Sequence, residues 1–167
     1  MKYFTREWAT GKLTDDEWRE RDAAYQNLLD ALLPHLPSAV AEIATEISLN
    51  DALVRRVTLR RAEHWIRLEF LCGYQQRGYF DLSLIYTNVD FGFLDIRELA
   101  SIARDPRTEV LYTEVDLVAD GVYEHRILFW PRGEMTLRFR ELQVRRKARN
   151  DRIWQRVEDP FVDKPGS

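Results

Sequence analysis

The sequence predicts an α+β fold, with N-terminal helices packed on a twisted antiparallel sheet of about six strands. Three observations lead there. Helical spacing of apolar residues fills the stretch before Pro37, alternation of period two takes over from Ala52, and helices and strands do not alternate as a parallel sheet requires. Short connections make the strands a meander, and whether they close into a barrel is left open by the pattern.

The chain starts extended, with Tyr3-Phe4-Thr5 able to tuck aromatic rings under a sheet edge. Thr14-Asp15-Asp16-Glu17 reads as a capping box, in which the threonine oxygen accepts from the third backbone N–H and the glutamate reaches back. Trp18, Tyr25, Leu28, Leu29, Leu32, Leu33 and Leu36 then form one stripe at helical spacing. The stripe is too short for a coiled-coil seam, so it reads as a packing face. Pro37 ends this helix, and Ser38 is expected to cap a shorter one through Glu46.

Strands are expected near Leu53–Arg60, Trp65–Leu71 and Tyr79–Tyr86, followed by a short helix from Ile96 to Arg104 that Asp105-Pro106 closes. Three more strands follow, Leu111–Leu117, His125–Phe129 and Met135–Arg140, joined by Ala119-Asp120-Gly121 and Pro131-Arg132-Gly133. A three-residue hairpin loop ends in a left-handed residue, usually glycine, which has no Cβ to clash. Reading both loops this way pairs Leu111 with Phe129 and Met135, Thr113 with Ile127 and Leu137, and Val115 with His125 and Phe139. Glu114, Asp116, Glu124, Arg126, Arg138 and Arg140 then share the opposite face. A two-residue Asp120-Gly121 loop would slip the register by one and push Glu124 and Arg126 among apolar side chains, so it loses. The leucine stripe of the long helix is the natural cover for the Ile127–Phe129–Leu137 face. Residues 1–146 are expected to form a single domain, with 147–167 a polar tail, docked or disordered.

At 167 residues, 45% hydrophobic and 32% charged, the chain can bury a sizeable core. Its net charge of −3 does not mark the whole molecule as a polyanion binder. A lone Cys72 excludes an internal disulfide, Met1 to Glu7 lacks the look of a signal peptide, and no stretch approaches the roughly 20 apolar residues that span a bilayer. A cytoplasmic location and no membrane association are expected.

Candidate chemistry is sparse. His125 falls on the apolar face, where it could act as a base or ligand. No second ligand or orienting carboxylate shares that face, because Asp116 and Glu114 point the other way, and catalytic histidines need such a partner. His125, Asp116 and Glu114 are nevertheless the best small-ligand candidates. Cys72 lacks a nearby base and reads as a small hydrophobe; His35 suits a helix C-terminus. No catalytic residue, cofactor or metal is expected: phosphate-loop, nucleophile-elbow and metal-ligand spacings are all missing. The run from Arg138 to Arg152 is the argument for nucleic acid. Arg138, Arg140, Arg145, Arg146, Lys147, Arg149 and Arg152 could neutralise phosphates, and Trp154 could stack on a base.

The segments Met1-Lys2-Tyr3-Phe4-Thr5, Ser48-Leu49-Asn50-Asp51, Cys72 to Leu82 and Glu124 to Phe129 resemble a group of uncharacterised bacterial domains. The similarity runs to about Val144. Members often carry histidine before the aspartate where this chain has Asn50, so a site built there is not implied for it. The resemblance implies a bacterial source and a compact soluble fold, and no chemistry.

The expected function is therefore a non-enzymatic protein-interaction module, immunity-like or an accessory factor, whose charged sheet face or aromatic N-terminal strip docks on a protein partner. Aromatic and arginine side chains dominate interface hot spots. The alternatives are RNA binding through Arg138–Arg152, and an enzyme or small-ligand binder with a pocket near His125. The partner's identity and the oligomeric state are not fixed by sequence.

Overall fold

Thr14 starts the longest helix by completing both halves of its capping box: its hydroxyl oxygen accepts the Glu17 N–H at 3.3 Å, and its own N–H donates to Glu17 at 2.9 Å. The computed structural model describes residues 1–74 and 78–149. Its helices are α1 (Arg6–Ala9), α2 (Asp15–Leu32), α3 (Ser38–Thr45) and α4 (Ile96–Arg104). The long helix stops at Leu32 and tightens into a 3-10 turn, Leu33–His35. Pro37, not Ser38, is the N-cap of α3, which has no side-chain cap. Asp95 caps α4 by accepting the N–H groups of Arg97 and Glu98.

Among the described residues seven strands form one antiparallel sheet: β1 (Leu53–Arg60), β2 (Trp65–Tyr74), β3 (Gly78–Thr87), β4 (Glu109–Ala119), β5 (Val122–Trp130), β6 (Glu134–Phe139) and β7 (Glu141–Arg149). Their order is β6-β5-β4-β1-β2-β3-β7. The seventh strand is an addition to the sequence reading. It pairs with β3 from Tyr79↔Arg149 to Thr87↔Glu141, so residues 147–149, expected in the tail, extend the sheet.

The β4–β5 register matches expectation where it matters, with Thr113 opposite Ile127, Glu114 opposite Arg126 and Val115 opposite His125. A bulge at Leu111 moves Phe129 opposite Val110 instead. The β5–β6 hairpin differs by two residues: Ile127 faces Met135, and His125 faces Leu137. Its turn closes earlier than expected, with the Phe129 N–H donating to Gly133 O at 2.9 Å. An even shift keeps every side chain on its face. It also sets Glu124 opposite Arg138, where the expected register set Arg126 against Arg138.

The sheet is hinged. β1 and β4 pair only at Leu53↔Glu109, flanked by hydrogen bonds from Val54 N–H to Thr108 O and from Val110 N–H to Ala52 O. Beyond that point the β6-β5-β4 half curls over the β1-β2-β3-β7 half. The two ends of the sheet approach each other because a single residue, Arg140, separates β6 from β7, and Asp90 bridges to Arg138.

The main core lies between the halves, where Leu68, Leu84 and Tyr86 meet Ile127, Leu137 and Phe139, with Ile43 of α3 and Ile102 of α4 at its margins. The leucine stripe of α2 does not cover this face. The second half of the sheet already buries it, and α2 instead closes a smaller cluster of Phe4, Trp8, Tyr25 and Leu29 against Tyr112, on the opposite face of β4. There Tyr25 Oη accepts the Val115 N–H at 2.9 Å, satisfying an edge amide that β1 has left behind.

Candidate functional site: a basic groove on the outer sheet face

Alternation along β4 and β5 places Glu114, Asp116, Glu124 and Arg126 on one face, as the hairpin logic requires. That face is covered. The N-terminal strip crosses it, and the Glu114 carboxylate accepts the backbone N–H groups of Lys2 at 2.8 Å, Tyr3 at 2.6 Å and Phe4 at 2.7 Å. Arg126 donates to Glu114 at 3.1 Å and to Asp116 at 3.2 Å, and it also contacts Glu124. Arg138 donates to Glu124 at 2.6 Å, and the Lys2 ammonium stands 4.0 Å from Asp116. Three carboxylates thus meet three cations. Glu114 is fully buried and Glu124 is only 3% exposed.

Burial works to push the Glu124 carboxyl up, yet Arg138 and Arg126 hold it below its usual range. Burial likewise works against the charge of Arg126, but Glu124, Glu114 and Asp116 hold it above its ordinary value. The arrangement is a closed, neutralised clamp. The two surfaces expected to dock on a partner, the charged face and the aromatic strip, cover each other.

His125 sits on the other face, fully buried, with Nδ1 2.7 Å from the Tyr86 hydroxyl. Its Nε2 has no hydrogen-bond partner among the described residues. Burial lowers its pKa to about 3, so the ring is neutral at physiological pH. Because Asp116 and Glu114 lie across the sheet, these three residues do not form one site. Cys72 is buried in the main core, and burial pushes its thiol up to about 12. Among the described residues no group of three or more His, Cys, Asp or Glu side chains could hold a metal ion.

The basic run is divided by the period of β7. Arg138 belongs to the clamp and packs 3.5 Å over the Phe93 ring; Arg140 is exposed at the β6–β7 junction. Arg146 shares its side of the strand with Leu142 and Val144 and pairs with Glu42 of α3. Arg145, Lys147 and Arg149 project from the outer face, where Arg149 donates to Asp81 at 3.3 Å. Arg152 and Trp154 lie outside the described residues.

The outer face contains what sequence reasoning missed, a groove of about 440 Å³ over the middle of β1, β2, β3 and β7. One row crosses all four strands: Arg56, Glu69, Ser83 and Arg145. Arg55, at the β1 bulge, reaches Asp81, and Lys147 completes the wall; Arg146 borders the groove through its place in β7 while its guanidinium turns to Glu42 on the other side. Five cations and two carboxylates line the groove. Among the described residues Arg56, Arg145 and Lys147 have no ion-pair partner, so a net positive wall survives on a chain of net charge −3. The one legible trace was the dipeptide Arg55-Arg56. Its meeting with Arg145 depends on β7 returning to β3, which no local pattern announces. Such a surface can bind carboxylates or phosphates.

Residues 1–138 match the family described as Protein of unknown function (DUF4085), and the chain belongs to that family. The match takes in β1 to β5 and nearly all of β6, and stops short of β7. No curated protein matches the chain, and no solved structure does.

Proposed function

We propose that this member of the DUF4085 family is a non-enzymatic binding module that captures an acidic segment of a partner protein in the groove between β1 and β7. One observation carries the reading: Arg56, Arg145 and Lys147 line the same groove without ion-pair partners among the described residues. Cations already neutralised in place have little left for a ligand, whereas unpaired ones at a rim steer and hold an opposite charge. The groups with chemistry to offer point the same way, since His125 and Cys72 are 0% and 1% exposed.

Nucleic acid is the competing reading. A strand-binding surface combines a continuous positive track with open aromatic platforms. Here Glu69 and Asp81 interrupt the track, and Trp65 on the same face is engaged, its indole N–H donating to Glu63 at 2.8 Å and its ring contacted by Arg67.

Fluorescence anisotropy with a labelled oligoglutamate peptide and a labelled single-stranded RNA of equal charge separates the two. The peptide is expected to bind, more weakly as salt rises, and to lose at least about tenfold in affinity with Arg56→Glu, Arg145→Glu and Lys147→Glu combined. Tighter binding of the RNA, lost in the same variant, overturns the protein-partner reading. Peptide binding indifferent to the variant removes the groove as the site.

A further inference from the structure

β7 is a nine-residue strand whose backbone is paired on one side only among the described residues. An edge of this kind presents a row of unpaired N–H and C=O groups. Elsewhere on this sheet two stretches of edge find partners. The Asp90 N–H donates to Arg138 O at 2.9 Å along β6, and Tyr25 Oη takes the Val115 N–H where β4 runs free. Along β7 nothing among the described residues takes that place.

The strand also has a sign. It holds four cations, Arg145, Arg146, Lys147 and Arg149, and one acid, Glu141. A second copy pairing there would set one basic strand against another, and like charges directly opposite destabilise a sheet. An acidic strand meets the reverse situation. Arg145 and Lys147, two residues apart, project on the groove side, so carboxylates at every second position of an added strand would lie beside both.

We propose that β7 receives an extended acidic segment of the partner protein as an eighth strand, with alternate carboxylates placed against Arg145 and Lys147. This rests on the groove reading above and adds the mode of docking. Main-chain hydrogen bonds supply affinity in such strand addition, and side chains at alternate positions supply selectivity.

The test uses the full chain and labelled nine-residue peptides alternating Glu and Thr, matching the length of β7. Two versions are N-methylated, one on the odd amides and one on the even amides. An added strand turns only one of these sets toward β7. One methylated peptide is therefore expected to lose at least about tenfold in affinity while the other stays within about threefold of the unmodified peptide. A peptide of the same composition with its glutamates contiguous is expected to bind more weakly than the alternating one. If both methylated peptides bind like the parent while Arg145→Glu with Lys147→Glu still abolishes binding, strand addition is wrong and the groove reading stands. If the unmodified peptide does not bind the native protein, both are wrong. All peptide comparisons are made on the native chain, so no loss of folding can imitate the result.

Discussion

The carboxylate of Glu114 accepts the backbone N–H of Phe4 at 2.7 Å, joining β4 to the first turn of the chain. Together with the bonds from Lys2 and Tyr3, this makes the N-terminal strip part of the domain and holds Phe4 over Tyr25 and Tyr112. Glu114→Ala leaves three backbone donors without their acceptor in a buried place and takes from Arg126 one of its three carboxylate partners. Breaking one partner of a buried charged network costs about 3–5 kcal/mol. Urea denaturation is expected to show a loss of that size, and Glu114→Gln, which keeps one acceptor oxygen, a smaller one. A change below about 1 kcal/mol for the alanine variant would mean that the strip is held by its aromatic contacts alone.

The Tyr86–His125 pair makes stability depend on pH. The folded pKa of His125 is lowered from 6.5 to about 3 by burial, so below pH 6.5 the unfolded chain binds a proton that the folded one refuses. This contribution to stability is fully present above the unfolded value and is lost as pH falls from about 6.5 toward about 3. At the acid end the loss is on the order of 5 kcal/mol. Thermal melts between pH 7 and pH 4 are expected to show a falling midpoint in the native protein. His125→Phe, although less stable at neutral pH because the Tyr86 hydroxyl loses its partner, is expected to show a flatter profile. Parallel profiles for the two proteins would assign the acid sensitivity to other groups.

What was legible in the sequence, and what was not, follows from the range of each interaction. The Glu114–Arg126 pairing was readable because two alternating segments flank Asp120-Gly121, and Gly121 adopts the left-handed φ of +62° that the loop needs. The β5–β6 register was readable only in its parity: the apolar face is blind to a shift of two, and the closure at Phe129 and Gly133 decides it. β7 escaped because Arg145-Arg146-Lys147 has little strand propensity of its own and pairs with β3 across more than fifty intervening residues. The groove escaped with it. The cover of the main core was misplaced for a related reason. Nothing in the leucine stripe of α2 says which of two faces it will meet, and the hinge at Leu53↔Glu109 lets the sheet bury its own inner face.

Cys72 provides a probe of the same core. It lies on the inner face of β2, 1% exposed, where burial lifts its thiol pKa to about 12 despite the opposing influence of Arg146. Only the thiolate attacks a disulfide reagent, so at pH 8 the native protein offers both a vanishing thiolate fraction and no path to it. Treatment with an aromatic disulfide is expected to leave the folded chain unlabelled over hours and to label it completely in urea. Through the transition, the labelled fraction should follow the unfolded fraction measured by circular dichroism. Rapid labelling in native buffer, with the spectrum unchanged, would show that β2 and β3 part without global unfolding, and the hinged sheet would then be a dynamic one.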